Sequence, residues 1–374
     1  MPKFTPNKPF VIMQIADVQD GPEIAADTLK LIAAALDKTS PDIVVLTGDQ
    51  VHGLKSPFRD KKNGAERMRG ALHQLLKPIV ERGIAFAPTF GNHDAQGLPA
   101  ETGKTAQMSF YKELQNCLAP SVDGDCGTYS IPIQSSDGTK TALNIYIVDS
   151  GSSVGAGYEP VKPEQLAWYR RQRDELALQN GAPVPSMVFQ HIPVPEYYDV
   201  LLPANKKDEG AIRAFRSFNG YWTPNMDKIY QFDYMEESCS CPDENTGEFD
   251  ALTEKGEVFA MSVGHDHKNS WAARHDRGVH LVYCPGAGFN TYGAGIDRAV
   301  RIFEFDEDNP RDFRTYTLRY RDIVGTKVEK PLKDYINSHS PTNVSEGIEL
   351  GFKILGFLFG LAAIAAGLVW LFGR

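Results

Sequence analysis

The stretch FVIMQIADVQDGP, residues 10–22, begins as an unbroken apolar run and ends abruptly in Asp17, Gln19, Asp20 and Gly21. A short apolar run bounded by turn residues reads as a buried strand. Two carboxylates and an amide at its exit are either an ordinary polar turn or the wall of a site. One strand alone does not separate the two.

Further along the chain the same pattern recurs. Apolar runs at residues 42–49 (DIVVLTGD), 84–94 (IAFAPTFGNHD), 142–151 (ALNIYIVDSG) and 186–197 (SMVFQHIPVPEY) alternate with helical patterns at 23–39, 66–83 and 162–179. Strands alternating with amphipathic helices predict an α/β fold. The runs at 256–269, 278–288 and 298–307 read as strands of a second sheet, after an irregular insertion at 197–249. The exits are Asp17-Val18-Gln19, Gly48-Asp49, Gly91-Asn92-His93-Asp94, Gln190-His191 and Gly264-His265-Asp266-His267. In open α/β sheets functional groups collect beyond the carboxyl ends of strands, so these five exits can converge on one crevice. Each alone has a bland reading as a turn, a loop or a core histidine. Jointly they point to metal ligands, because Asp, Asn and His are the donors that hard and borderline divalent ions take.

In order and spacing these motifs resemble those of the calcineurin-like metallophosphoesterases, in particular a purple-acid-phosphatase-like subgroup with plant and fungal members. The phrases YIVDSG, KPEQLAWY, HIPVPEY, NTGEFDAL, VGHDHKN and YGAGIDRAVRIFEF extend the likeness over most of the chain. The resemblance implies a four-layer sandwich of two mixed β-sheets flanked by helices, and a phosphoesterase holding two metal ions, Mn, Fe, Zn or Mg. It also implies that Asp17 and His267 bind one metal, that Asn92, His191 and His265 bind the other, and that Asp49 bridges them. His93 is then the proton donor, with Asp94 either orienting its ring or capping the loop. The pattern departs from the family where Asp-x-His is usual and Gln19 stands in the histidine's place. Residues i and i+2 of a strand point the same way, so Gln19 would still face the metal; Asp20 or His52 are the alternative third ligands. His52 also occupies the place of the tyrosine of true purple acid phosphatases, so no tyrosinate colour is expected. His73, His275, His280 and His339 match no motif and read as surface or structural residues.

Composition limits the rest. The chain has 374 residues and a formal charge of −9 without a Lys/Arg run, so nucleic acid is not an expected partner. Five cysteines form no framework, which favours a reducing compartment. Residues 354–372 carry no charge, and nineteen helical residues span about 28 Å, close to the hydrocarbon thickness of a bilayer. The expected organisation is a catalytic domain at 1–325, its insertion at 197–249 serving as a substrate lid, a polar linker at 326–347, and a C-terminal transmembrane helix at 348–374. With no export signal at the N-terminus, the expected location is a single-pass membrane anchor with the catalytic domain on the cytoplasmic side. Gly356 and Gly360 form a GxxxG step that could pair two such helices into a homodimer. The expected substrate is a phosphate ester near the membrane. Rival readings are a phosphodiesterase acting on nucleotides or lipids, and a tail-anchored binding protein with a degenerate site.

Overall fold

The computed structural model describes residues 1–120, 126–342, 346–348, 350–356 and 364. Two mixed sheets carry the fold. The first has the order Arg314–Arg319, Ala299–Phe305, β1 (Phe10–Ile15), β2 (Ile43–Thr47), β3 (Ala85–Thr89). Strands β1, β2 and β3 run parallel in adjacent positions, with Ile15 beside Leu46 and Thr47 beside Thr89. The second sheet has seven strands, in the order Ile229–Met235, Asn269–Arg274, His280–Tyr283, Val258–Val263, Ser186–Phe189, β5 (Thr141–Ile147), β4 (Tyr129–Gln134).

One apolar core joins the two sheets and continues beneath helices α1 (Ala26–Thr39), α2 (Gly64–Val80) and α3 (Lys104–Lys112). Phe189 and Phe303 meet edge to face across the sheets, with centroids 5.5 Å apart. The helices bury the stripe that their period demands: Leu31, Ile32, Ala35 and Leu36 in α1, and Met68, Leu72, Leu75, Leu76 and Ile79 in α2. A second core lies on the outer face of the seven-stranded sheet, under α4 (Pro163–Asn180) and α5 (Glu248–Thr253). The sheets are also tied by polar groups. Gln14 donates to Thr47 Oγ1 (3.0 Å) and accepts from Ser262 Oγ (2.5 Å), so its buried amide is satisfied by both sheets.

Three expectations need correction. The run at 298–307 does not join the second sheet: Ala299–Phe305 returns to the first and pairs antiparallel with β1, Phe10 beside Phe305. Buried apolar strands read alike in either sheet, and only long-range pairing sorts them. The insertion at 197–249 is not irregular. It forms a three-stranded sheet, Ile212–Arg213, Tyr221–Pro224 and Leu201–Ala204, and then supplies the bulged edge strand Ile229–Met235 to the large sheet. Within the stretch 326–347, expected as a polar linker, the helix Pro331–Ser338 forms and is docked. Asp334 Oδ1 meets the buried Arg298 guanidinium at 2.6 Å, and the Ser338 carbonyl accepts from Lys268 Nζ at 2.8 Å. Its polar composition serves contact with buried cations.

Most of the expected anchor, 357–363 and 365–374, lies outside the described residues, as does Gly360. Among the described residues no helix is long and apolar enough to cross a membrane. Cys117, Cys239, Cys241 and Cys284 are free thiols.

Glu248 opens α5 almost wholly buried. Burial, with Glu196 adding repulsion against an opposing hydrogen bond from Gln190, pushes its carboxyl up to about 8. The folded state therefore favours the protonated acid, and that advantage is complete below the unfolded value and lost as pH rises through about 8. Glu248→Gln is expected to raise the melting temperature at pH 8.5 by at least about 3 °C and to leave it nearly unaltered at pH 4.5. Calorimetry at the two pH values checks this, and equal shifts at both would refute it.

Candidate metal centre

Three strands of the first sheet and two of the second present their carboxyl ends at one edge of the sandwich. Asp17, Asp49 and Asn92 follow β1, β2 and β3; His191 follows Ser186–Phe189, and His265 and His267 follow Val258–Val263. The parallel register brings these exits together. Asp17, Asp49 and His191 each offer a ligand atom within 4.8 Å of the others, and all three are buried.

Backbone geometry at the exits is unusual. Asp17 (φ 56°), Gln19 (φ 46°), Asp49 (φ 54°) and His265 (φ 74°) are all left-handed without being glycine. Each such residue costs on the order of 1–3 kcal/mol, which the surrounding hydrogen bonds must offset. Gln19 N–H donates to the Asp49 carbonyl (2.7 Å), and His265 N–H donates to Asp17 Oδ2 (2.8 Å). Two motif glycines follow from the same crowding. A Cβ at Gly91 would strike Asp49 Oδ1, and one at Gly264 would lie 2.7 Å from Asp17 Oδ2. Glycine precedes these residues because a carboxylate fills its side-chain space.

The imidazoles are oriented from behind. His191 Nδ1 lies 2.9 Å from the Thr47 carbonyl and His267 Nδ1 lies 2.8 Å from the Tyr292 carbonyl. A carbonyl only accepts, so both Nδ1 atoms carry the proton and a neutral ring turns the Nε2 lone pair toward the site. The Tyr292 ring stacks on His267 at 4.0 Å. Asn92 Nδ2 donates to Ser153 Oγ (3.1 Å), which turns its Oδ1 inward, 3.1 Å from His191 Nε2. His191 Nε2 is also 3.4 Å from Asp49 Oδ2, 3.9 Å from Asp17 Oδ1 and 3.2 Å from His265 Nδ1; His267 Nε2 is 3.4 Å from Asp17 Oδ1. Asp17 Oδ1, His265 Nε2 and His267 Nε2 are buried without a hydrogen-bond partner among the described residues.

A set of inward lone pairs with too few protons suits a cation. Burial disfavours charge on His191, yet Asp49 and Asp17 carry its pKa up to about 9. Burial likewise opposes ionisation of Asp49, but His191 and His93 beside it hold that carboxyl well below the ordinary range. Two carboxylates, three imidazoles and one amide oxygen are a donor set that fits a pair of hard or borderline divalent ions.

Other expected residues fall differently. Gln19 is at the site, but its Nε2 donates to Asp49 Oδ2 (2.8 Å) while its oxygen accepts from Thr291 Oγ1 (2.8 Å). The atom that would ligate a metal is thus turned to a hydroxyl. Asp20 Oδ2 accepts from Ala25 N–H (2.8 Å), tying its loop to the start of α1. Asp94 does not orient His93: its carboxylate accepts from the N–H groups of Asp49, Gly91 and Val51 at 2.7, 2.7 and 3.1 Å. It is a loop brace, buried and pushed up to about 7 by burial and by Asp49. The His93 ring is held instead by Gln96, Nδ1 to Oε1 2.6 Å. His52 faces that ring at 4.6 Å, and burial brings its own pKa down to about 4. His73, His275, His280 and His339 bond elsewhere, to Phe110, Asp199, Tyr230 and Tyr335. Ser153, Thr291, Tyr292 and Gln96 carry no metal-site signal of their own in the sequence, although Gln96 is three residues from His93, Ser153 is two past YIVDSG, and Tyr292, with Thr291 before it, opens YGAGIDRAVRIFEF.

A cavity of about 680 Å³ opens over Gln19, His93, His265 and Asp266. Tyr158 forms part of its wall and meets His265 edge-on at 4.5 Å.

A family model described as calcineurin-like phosphoesterase matches residues 10–269. Among curated proteins, the chain is 28% identical over 304 residues to "Probable inactive purple acid phosphatase 14" of Arabidopsis thaliana, covering 74% of this chain and 66% of that one. It is 26% identical over 296 residues to "Phosphatase DCR2" of Saccharomyces cerevisiae, covering 75% of this chain and 46% of that one. The chain thus spans less than two thirds of the length of either relative. Among solved structures, a dimetal phosphatase from Danio rerio superposes with a TM-score of 0.50 at 13% identity, covering 84% of this chain and 100% of that one, a likeness of fold.

Proposed function

We propose, from the premise that the chain belongs to the calcineurin-like phosphoesterase family, that it hydrolyses phosphate esters at a two-metal centre. Asp17 and His267 would hold one ion and Asn92, His191 and His265 the other, with Asp49 between them. The observation that carries the reading is the convergence of buried acceptors on one point, with Asp17 Oδ1, His265 Nε2 and His267 Nε2 left unpartnered among the described residues. When bound, such a pair of ions polarises a phosphoryl group and acidifies water near neutral pH.

The protein's own residues do the rest. The Nδ1 bonds of His191 and His267 to fixed carbonyls keep their lone pairs aimed without further ordering. The ring of His93, on the cavity wall and held by Gln96, would give a proton to the departing oxygen. Tyr158 and Tyr292 wall the pocket and limit water around the reacting groups. The apolar run at 354–372 would tether this domain to a membrane, and Gly356 and Gly360 would let two tethers pair.

A second reading, a metal-binding protein without turnover, is favoured by the Gln19 amide, which presents nitrogen to Asp49 and not oxygen to a metal. The full chain, extracted in detergent without chelator, separates the two. The expected result is about two metal ions per chain, with aryl phosphate turnover that chelation removes and Mn, Fe, Zn or Mg restores. Metal without turnover under any ion would establish the second reading, and no metal would end both. Aryl mono- and diesters compared in the same assay decide the ester class.

A further inference from the structure

The insertion reaches the site through a chain of rings. Tyr158, edge-on to His265, stacks on Phe215 with centroids 5.5 Å apart and planes within 25°. Phe215 lies between Arg213 and Arg216, and both arginines line the same cavity as Gln19, His93 and His265. Arg216 is steadied by Asp243 of the CSCPDENTG segment, Nε to Oδ2 2.8 Å. No hydrogen bond or ion pair engages the Arg213 side chain among the described residues. The acidic members of the wall are already engaged: Glu237 accepts from Lys268 N–H (2.6 Å), and Asp266 accepts from Tyr283 Oη (2.6 Å) and Ser240 N–H (3.0 Å). Arg213 is therefore the cavity's unengaged guanidinium, with Arg216, held by Asp243, beside it on the same wall, two ring contacts away from the proposed metal ligands.

We propose that Arg213 and Arg216 form a second anion subsite, so that the preferred substrate carries another phosphate or carboxylate beyond the ester to be cleaved. The inference rests on the phosphoesterase reading for the inner site. Guanidinium is suited to the outer one because its planar fork pairs with two oxygens of one phosphate and keeps its charge at every working pH. The short hairpin of Ile212–Arg213 and Tyr221–Pro224, with Phe215 seated on Tyr158, sets the spacing between the subsites. That spacing would select compounds by the distance between their two anionic groups.

Binding of non-hydrolysable probes tests this independently of turnover. The metal-loaded full chain is titrated calorimetrically with alkane-α,ω-bisphosphonates of two to six carbons, the matching alkyl monophosphonates, and ω-carboxyalkyl phosphonates. The best bisphosphonate is expected to bind at least about tenfold tighter than its monophosphonate. In the Arg213→Gln, Arg216→Gln double variant that ratio should fall to about one, and Arg213→Lys should restore part of it. The carboxylate series distinguishes a phosphate-specific subsite from a general anion site. A ratio near one in the wild type, a ratio retained in the double variant, or equal weakening of both probes there overturns the subsite. A retained ratio in a wild type that turns over no ester leaves the subsite standing and refutes the hydrolase.

Discussion

Replacing Asp49 with Asn is expected to weaken metal binding by more than the roughly hundredfold typical of an outer-shell partner, and to take ester turnover below detection. The side chain keeps its shape but loses its charge and half its acceptor capacity. In the wild type both oxygens face donors: Oδ1 takes His93 N–H at 2.7 Å and Oδ2 takes Gln19 Nε2 at 2.8 Å, with His191 Nε2 3.4 Å away. An amide cannot satisfy both sides, because its NH₂ group must oppose one of those donors. The readouts are elemental analysis and the melting temperature with and without metal. Ligand binding to the folded state raises wild-type stability by mass action, and this rise should vanish in Asp49→Asn. A variant that still binds two ions and still melts higher with metal would remove Asp49 from the centre.

His93→Ala is expected to behave in the opposite way, keeping its metals and losing turnover by about 10²–10⁴-fold. Its backbone N–H, the group that meets Asp49, survives the change, and its ring bonds to Gln96 and packs on His52, outside the set of converging acceptors. If the ring gives its proton to the leaving oxygen, the loss should be large for alkyl phosphates and small for aryl phosphates, whose leaving groups need little help. Steady-state kinetics across a leaving-group series reads this directly. An equal loss for all leaving groups would make His93 a binding residue, and a loss of metal would make it part of the centre.

The residues that converge were legible because their chemistry is local. Gly-Asp, Gly-Asn-His and Gly-His-Asp-His at the ends of apolar runs declare both residue type and position on a strand, and the parallel pairing of β1, β2 and β3 then places their exits side by side. The supporting residues were not legible. Ser153 is 61 positions from Asn92, and Thr291 is 272 from Gln19, and although each borders a recognisable phrase, nothing local says which distant side chain it will meet. Asp94 illustrates the difference. Next to His93 in sequence, it read either as that ring's partner or as a loop cap, and the left-handed backbone at Asp49 exposes N–H groups that its buried carboxylate satisfies, which selects the cap.

By itself the sequence determined the alternation of strands and helices, the residue types at each exit, and thereby the family and the class of metal donor, because side-chain period and strand-end chemistry are properties of neighbouring residues. Tertiary structure alone decided that Ala299–Phe305 pairs with β1, that the insertion carries Arg213 and Arg216 to the cavity, that the helix Pro331–Ser338 docks on Arg298, and which atom of Gln19 meets Asp49. Each of these depends on hydrogen bonds or ring contacts between segments far apart in the chain, where a buried polar group takes whichever partner the packing brings within reach.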